Sequence, residues 1–364
     1  MKKLFVSELQ GKEEIESVFL VKIINCLEDK SGKRYFNIIL TDATGDLESR
    51  LWNYSADVEK NILKNDFVHV KGKLNFYQGR KQFVLNTISK VPASEVNTDD
   101  FQMKATEDPE VMYKKLLAIV DGLSDVYIRD LLQMTITDPE IARRLKTWQA
   151  GKSIHHAYKS GLLEHILSCT QLALTLSSHY HVNPNYVVAG CILHDLCKIY
   201  ELTDGINVEY TEEGKLVGHL VKGLEIVDRF SYRIKNFPHF TRMHIKHILL
   251  AHHGEYEYGS PKIPQTSEAF LVHLIDLMDS KMGSLEIVKK TDSQTGHWSG
   301  FVKHLDRIVY KSELPFYPEY VADEHTEEKP NTSSHPQPNL KKEKPNAEPK
   351  TSLGKMLGAI KIED

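Results

Sequence analysis

The hydrophobic period of the chain changes once, near residue 108, and that change limits what it can fold into. Before it, apolar and polar residues alternate, the period of a half-buried strand. After it, apolar residues recur every three or four positions, the period of an amphipathic helix. A strand-rich module is therefore expected first and a helical one second. In the first, the alternation predicts strands at 17–25, 35–41, 46–52, 67–74 and 82–88, separated by turns rich in Gly, Asp and Asn. A short helix at 57–64 falls between the third and fourth strands. Three strands, a helix and two strands is the order of an oligonucleotide-binding (OB) barrel. A small sandwich is the competing reading.

The polar, acidic stretch 93–107 reads as a linker, which makes 1–92 the first domain. Asp108-Pro109 and Asp138-Pro139 look like helix starts, with Asp as the cap and Pro at the first helical position. Helices are expected at 109–121, 125–134, 139–148, 155–180, 184–198, 213–234, 241–252 and 267–289. Residues 108–315 then form an all-α domain. The fold class expected is thus multidomain, a five-stranded barrel followed by a helical body. Residues 316–364 are rich in Pro and charge and are expected to be disordered, with 353–362 a short docking helix or a frayed end.

Composition narrows the chemistry. No apolar run approaches the ~20 residues of a membrane span, and the N-terminal stretch has no secretory apolar core. Four cysteines without a CxxC pair argue against cysteine-held zinc and for a reducing cytosol. Fifteen of the 18 histidines lie between His155 and His304, which points to metal or acid–base chemistry in the helical half. Net charge is −4, so attraction for a polyanion must come from a local patch. Residues 64–90 supply one, with five Lys and one Arg against Asp66 alone.

Candidate ligands stand out by context. The run 187–193 (VVAGCIL) is apolar on nearly every face, and His194-Asp195 follows it directly. Burying such a pair costs several kcal/mol unless it is satisfied or holds a metal. Asp276 sits in a similar apolar run, and His165 lies on the preceding long helix. Imidazole and carboxylate without thiolate suit Mn²⁺, Fe²⁺, Co²⁺ or Zn²⁺. Lys198, one turn past His194, can reach a phosphate from the same face. His219, His252 and His253 are further candidates, and Asp279, one turn past Asp276, is read as supporting a ligand rather than as one. Adjacent helical residues diverge by about 100°, so His252 and His253 are not both expected to be ligands. His155 and His156 are read as substrate contacts or caps, and His244, His247 and His273 as helix-face residues.

The order His165, His194-Asp195, Asp276 resembles the HD superfamily of metal-dependent phosphohydrolases. Longer strings are more specific. Residues 154–165 (IHHAYKSGLLEH), 194–198 (HDLCK), 251–264 (AHHGEYEYGSPKIP) and 273–282 (HLIDLMDSKM) resemble the YhaM family of 3′→5′ exoribonucleases. That resemblance covers about residues 1–315. It implies His165, His194, Asp195 and Asp276 as ligands of a first metal, with His219, His252 and His253 where two-metal relatives place others. It implies His194, Asp195 and Lys198 in catalysis, Mn²⁺ as the working ion with Co²⁺ or Fe²⁺ as substitutes, and one or two ions per site. It also implies single-stranded RNA or DNA as substrate, a cytoplasmic setting without membrane and a homo-oligomer, with the helices around 109–134 as an interface.

In the barrel, Lys33, Arg34, Trp52, Lys71, Lys73, Tyr77 and Arg80 are the candidates for holding the strand, cations on phosphates and aromatic faces on bases. Alternation puts Tyr35 and Phe36 on opposite faces, so at most one of them stacks on a base. Two alternatives to the exonuclease stay open: an HD phosphohydrolase of small nucleotides, and a non-catalytic single-strand-binding protein.

Overall fold

The computed structural model describes residues 2–9, 14–77, 80–152, 157–292, 294 and 296–312; of Tyr77 and Arg80 only the backbone is described. The predicted tail at 316–364 and the pair His155-His156 lie outside these residues.

Five strands close into a barrel: β1 (Glu14–Glu28), β2 (Arg34–Asp42), β3 (Gly45–Leu51), β4 (Phe67–Tyr77) and β5 (Arg80–Val91). Around the barrel the order is β1-β2-β3-β5-β4, which is the OB arrangement rather than the sandwich. Among the described barrel strands, β3 and β5 pair in parallel and the other neighbours antiparallel. The strands outrun the predicted ones because β1 serves two neighbours. Its first half pairs with β4, its second with β2, and a register shift between Val21 and Ile23 lets it turn from one to the other. Alternation holds along β2 and β3: Phe36, Ile38, Leu40, Leu47 and Leu51 fill the interior. Phe36 is thus core and Tyr35 faces outward. Helix α1 (Ala56–Asn61) sits between β3 and β4, capped by Ser55, and stops short of the predicted residue 64.

The stretch read as a linker is anchored at both ends. Phe101 is buried against Phe67, Val18 and Leu20 of the barrel and Ile206 of the helical body. The Ala105 N–H donates to the Lys159 carbonyl and the Lys159 N–H to the Met103 carbonyl, each at 3.0 Å.

The helical body contains α2 (Pro109–Asp121), α3 (Val126–Ile136), α4 (Pro139–Leu145), α5 (Gly161–Tyr180), α6 (Pro184–Leu193), α7 (Lys198–Glu201), α8 (Glu212–Leu216), α9 (Gly218–Ser231), α10 (His239–Ala251) and α11 (Ser267–Thr291). The Asp-Pro starts are as expected: Asp108 and Asp138 each accept two backbone N–H groups of the first turn. No helix among the described residues is long and apolar enough to cross a membrane.

Three predicted helices differ. The one at 155–180 begins at Gly161, after Ser160 takes a left-handed conformation. The one at 213–234 breaks at Val217, and Gly218 with φ of 76° starts α9 in a new direction. The one at 184–198 stops at Leu193, so His194-Asp195 sits in the turn that leads to α7. Just before that stop, Gly190 packs against α10 and α11. A Cβ there would lie 2.6 Å from both Ile248 and Val272. The absence of a side chain is what lets three helices meet beside His194.

Candidate metal centre

Each histidine of the centre is oriented by what it does with one ring nitrogen. His194 Nδ1 donates to the Cys191 carbonyl at 3.0 Å, and His252 Nδ1 to the Leu249 carbonyl at 2.7 Å. Both acceptors lie three residues back, a bond that a histidine at a helix end can make locally. His165 Nδ1 donates to Asp279 at 2.7 Å, and Asp279 also accepts the Ser168 hydroxyl. His219 Nδ1 lies 3.0 Å from both carboxylate oxygens of Glu201. With Nδ1 engaged, Nε2 is left as a lone pair pointing inward in all four rings.

These atoms converge in two groups. In the first, His165 Nε2 and His194 Nε2 are 3.1 Å apart. Asp276 Oδ1 lies 3.4 and 3.7 Å from them, and Asp195 Oδ2 lies 3.6 Å from each. In the second group His219, His252 and His253 bring ligand atoms within 4.8 Å of one another. Asp195 joins the two groups. Its Oδ2 faces the first, while Oδ1 is 3.7 Å from His219 Nε2 and 3.9 Å from His252 Nε2.

Two observations test whether a cation fits. His219 Nε2, His252 Nε2 and His253 Nδ1 are buried without a hydrogen-bond partner among the described residues. An orphaned buried polar atom costs about 1–3 kcal/mol, so three converging on one space need an occupant. Two opposed imidazole lone pairs at 3.1 Å, flanked by two carboxylates, likewise need a proton or a cation between them. The donor set of imidazole nitrogen and carboxylate oxygen suits a divalent first-row metal.

The ionisation states of Asp195, Asp276, His252 and His253 are those of ligands, whereas His165, although burial opposes its charge, is held well above the ordinary imidazole value by Cys169, Asp276 and Asp279. Burial opposes the charge on Asp195, but Lys198 and His194 outweigh it and hold its pKa well below the usual carboxylate value. Asp276 is buried too and is held well below by His165 and His194. Burial, then the neighbouring His194 and His253, push His252 well below the ordinary imidazole value. Burial and His219 lower His253. Neutral imidazoles and ionised carboxylates are the ligand forms a metal requires.

The structure brings His165, His194, Asp195, His219, His252, His253 and Asp276 together around one space. The expectation that His252 and His253 diverge is corrected. Helix α10 ends at Ala251, and the pair in the following turn brings a ligand atom of each ring into the same group. Gly254, with φ of 84°, closes that turn over the His273 ring, where a Cβ would lie 2.2 Å from the imidazole. His273 Nδ1 donates to the His252 carbonyl at 2.8 Å, so it braces the turn rather than lying idle on a helix face. His244 and His247 bond to Thr266 and Gln265, away from the centre. Lys198 is not aimed at open space: its Nζ is 2.7 Å from Asp195 Oδ2. Glu201 escaped sequence reading. Its partner His219 is 18 residues further on, and its only local sign is a carboxylate one turn past Lys198.

The barrel residues are dispersed. Trp52, about one-third exposed, lies 4.9 Å from the Tyr35 ring, and Arg50 sits 5.6 Å from Trp52. Strand pairing sets Arg50, Val84 and Lys73 in one outward row across β3, β5 and β4. Arg34 is paired with Glu59 over the Tyr54 ring, and Lys71 lies 3.7 Å from Glu14. Lys33 is exposed in the turn before β2. The side chains of Tyr77 and Arg80 lie outside the described residues.

An HD domain model matches residues 162–281, and an OB-fold nucleic acid binding domain model (tRNA_anti-codon) matches 18–91. A protein of Oceanobacillus iheyensis named 3′-5′ exoribonuclease YhaM is 32% identical over 75% of this chain and 86% of its own length. A Halalkalibacterium halodurans protein of the same name is 30% identical over 83% of this chain and 94% of its own. Among solved structures, the second OB-fold domain of replication protein A from Methanococcus maripaludis matches 25% of this chain and 95% of its own, at 22% identity and a TM-score of 0.21.

Proposed function

The chain belongs to the YhaM family of 3′-5′ exoribonucleases, and from that premise we propose that it removes nucleotides from the 3′ end of single-stranded RNA by metal-dependent hydrolysis. Nucleoside 5′-monophosphates are the product, and RNA turnover or processing is the setting. The observation that carries the reading is the pair of ligand groups joined by Asp195, with three orphaned imidazole nitrogens. His165, His194, Asp195 and Asp276 would hold a first divalent ion. His219, His252 and His253 would hold a second with the other oxygen of Asp195. Mn²⁺ is the ion proposed, with Co²⁺ or Fe²⁺ able to replace it. Such an ion supplies Lewis acidity to a phosphoryl oxygen and activates water near neutral pH.

The protein's own residues do the rest. Asp279 and Glu201 orient His165 and His219 and fix which nitrogen faces the ligand space. Lys198, held beside Asp195, is the cation available to a non-bridging phosphate oxygen. In this reading residues 1–92 hold the strand and 108–315 cut it. Tyr35, Trp52 and Arg50 form a stacking and cationic surface, Tyr77 adds an aromatic face for a base, and Lys33, Arg34, Lys71, Lys73 and Arg80 follow the phosphates. Nothing in that set reads a 2′-hydroxyl, so single-stranded DNA is a further substrate. The cysteines are free and three of the four are buried, in keeping with a cytoplasmic setting.

A homo-oligomer is proposed as well, with an apolar stripe of α11 as a surface beside the 109–134 helices, which expose Val111 and Val126. Helices α2 and α3 turn Met112, Leu116, Ile128 and Leu131 into the core, whereas α11 leaves Phe270, Leu274, Met278 and Met282 exposed.

The test is product analysis on RNA labelled at its 3′ end with Mn²⁺ present. Early release of labelled mononucleotide is expected. Release of labelled oligonucleotides, or hydrolysis of free nucleotides alone, overturns the reading.

A further inference from the structure

An enzyme that cuts the last phosphodiester must seat the terminal nucleoside just outside the ligand space, and on that side the structure holds a pocket of about 170 Å³. His253, Asp276 and His273 line it from the centre, and Tyr258 and Leu277 bring apolar surface to it. Tyr258 is about two-thirds exposed, yet it stands on a braced segment. Tyr256–Tyr258 form a single 3₁₀ turn that Gly259 ends in a left-handed conformation. The buried Ser260 hydroxyl, 2.9 Å from the Leu250 carbonyl and 2.6 Å from that of Lys262, ties the segment to α10. At its other end Gly254 rests on His273. A large aromatic face is thus offered to solvent beside the candidate ligand side chains, on a loop held by its own hydrogen bonds.

We propose that Tyr258 is a positioning residue that stacks on the base of the 3′-terminal nucleotide, with Leu277 as the other apolar contact. The inference rests on the exoribonuclease reading and adds how the end is held. An aromatic ring and an aliphatic side chain carry no pattern of donors and acceptors along a base edge, so the contact accepts any base and feels chiefly whether one is present. It therefore explains how an enzyme can take nucleotides one after another regardless of sequence. Tyr256 is equally exposed on the same turn but does not line the pocket, which makes it the internal control.

The experiment uses the full chain and RNA carrying 2-aminopurine as its 3′-terminal base, with chelator present so that no strand is cut. Stacking quenches this fluorophore. Wild-type protein, Tyr258→Phe and Tyr256→Ala are expected to quench it, and Tyr258→Ala is not. With Mn²⁺ restored, Tyr258→Ala should raise KM for RNA by roughly 5- to 150-fold, the worth of one stacked base. It should also cut RNA with a terminal abasic residue no worse than RNA with a terminal base, whereas the wild type should distinguish the two. Undiminished quenching by Tyr258→Ala, or equal loss in Tyr256→Ala, overturns the inference while 3′-end shortening by the wild type leaves the exoribonuclease reading standing. Wild-type protein that neither quenches nor shortens the strand overturns both.

Discussion

The barrel and the metal centre use polar side chains in opposite ways. On the barrel, Arg50 and Trp52 sit together at the end of β3 and Lys73 lies two strands away on β4, all of them reached by solvent. In the centre, residues from α5, α9, α11 and two turns bring ligand atoms within 4.8 Å of one another in each group, mostly buried, and several are oriented by a neighbouring side chain or carbonyl. Distributed contacts make affinity that can be lost in small steps. Convergent buried contacts make a unit that works or does not, because removing one leaves its partners uncompensated in a low dielectric.

The sharpest way to break this contrast is at Asp195, the carboxylate shared by both ligand groups. Asp195→Ala should abolish uptake of divalent metal, read by elemental analysis. It should also reduce 3′-end cleavage by more than the roughly 10–100-fold that loss of an outer partner costs. Combining it with His194→Ala should add little, since members of one unit do not contribute additively. Retained metal and activity would show that the two groups are separate sites. Next in size is Glu201→Ala, which leaves His219 in place but frees its ring. Metal affinity at the second group should fall about 10–100-fold by titration, with the first group unchanged.

The barrel should respond more gently. Trp52→Ala should weaken binding of a single strand about tenfold by fluorescence anisotropy, within the 1–3 kcal/mol range of a stacked base. Lys73→Ala should lower the salt dependence of log K by about one unit, and the two changes should add. Strong non-additivity there would mean that the barrel, too, is a cooperative site.

The smallest effect is on acid stability of the metal-free protein. Asp195 and Asp276 have folded pKa values held below their unfolded value of about 3.8. Their contribution is therefore fully present above that value and is lost as pH falls through the lower folded ones. Asp276→Asn should remove its part of the acid-unfolding curve of the metal-free protein; an unchanged curve would place the stabilising charges elsewhere.

What could be read from the sequence was what neighbours along the chain decide. Asp108-Pro109 and Asp138-Pro139 start helices through bonds to the next two or three residues, and alternation sorted Phe36 from Tyr35. Features that were missed depend on residues far away in sequence. The stop at Leu193 lies beside the Gly190 contact with Ile248 and Val272. The length of β1 depends on two partner strands and the register shift after Val21. His252 and His253 converge because α10 ends one residue before them, and no periodicity marks that end. Glu201 became visible only when α9 folded back onto α7.

The contact at Gly190 has a consequence for how such an enzyme can change. His194, His252 and Asp276 stand on or beside three helices that pack where Gly190 places only a hydrogen atom against Ile248 and Val272. The preference of the centre for one ion over another is therefore adjustable from within the oily interior, by a methyl group more or less, without exchanging any residue that touches the ion. A lineage moving between metal-rich and metal-poor surroundings could retune its catalyst through substitutions that look like ordinary core drift, and a comparison confined to the ligand residues would miss the adaptation.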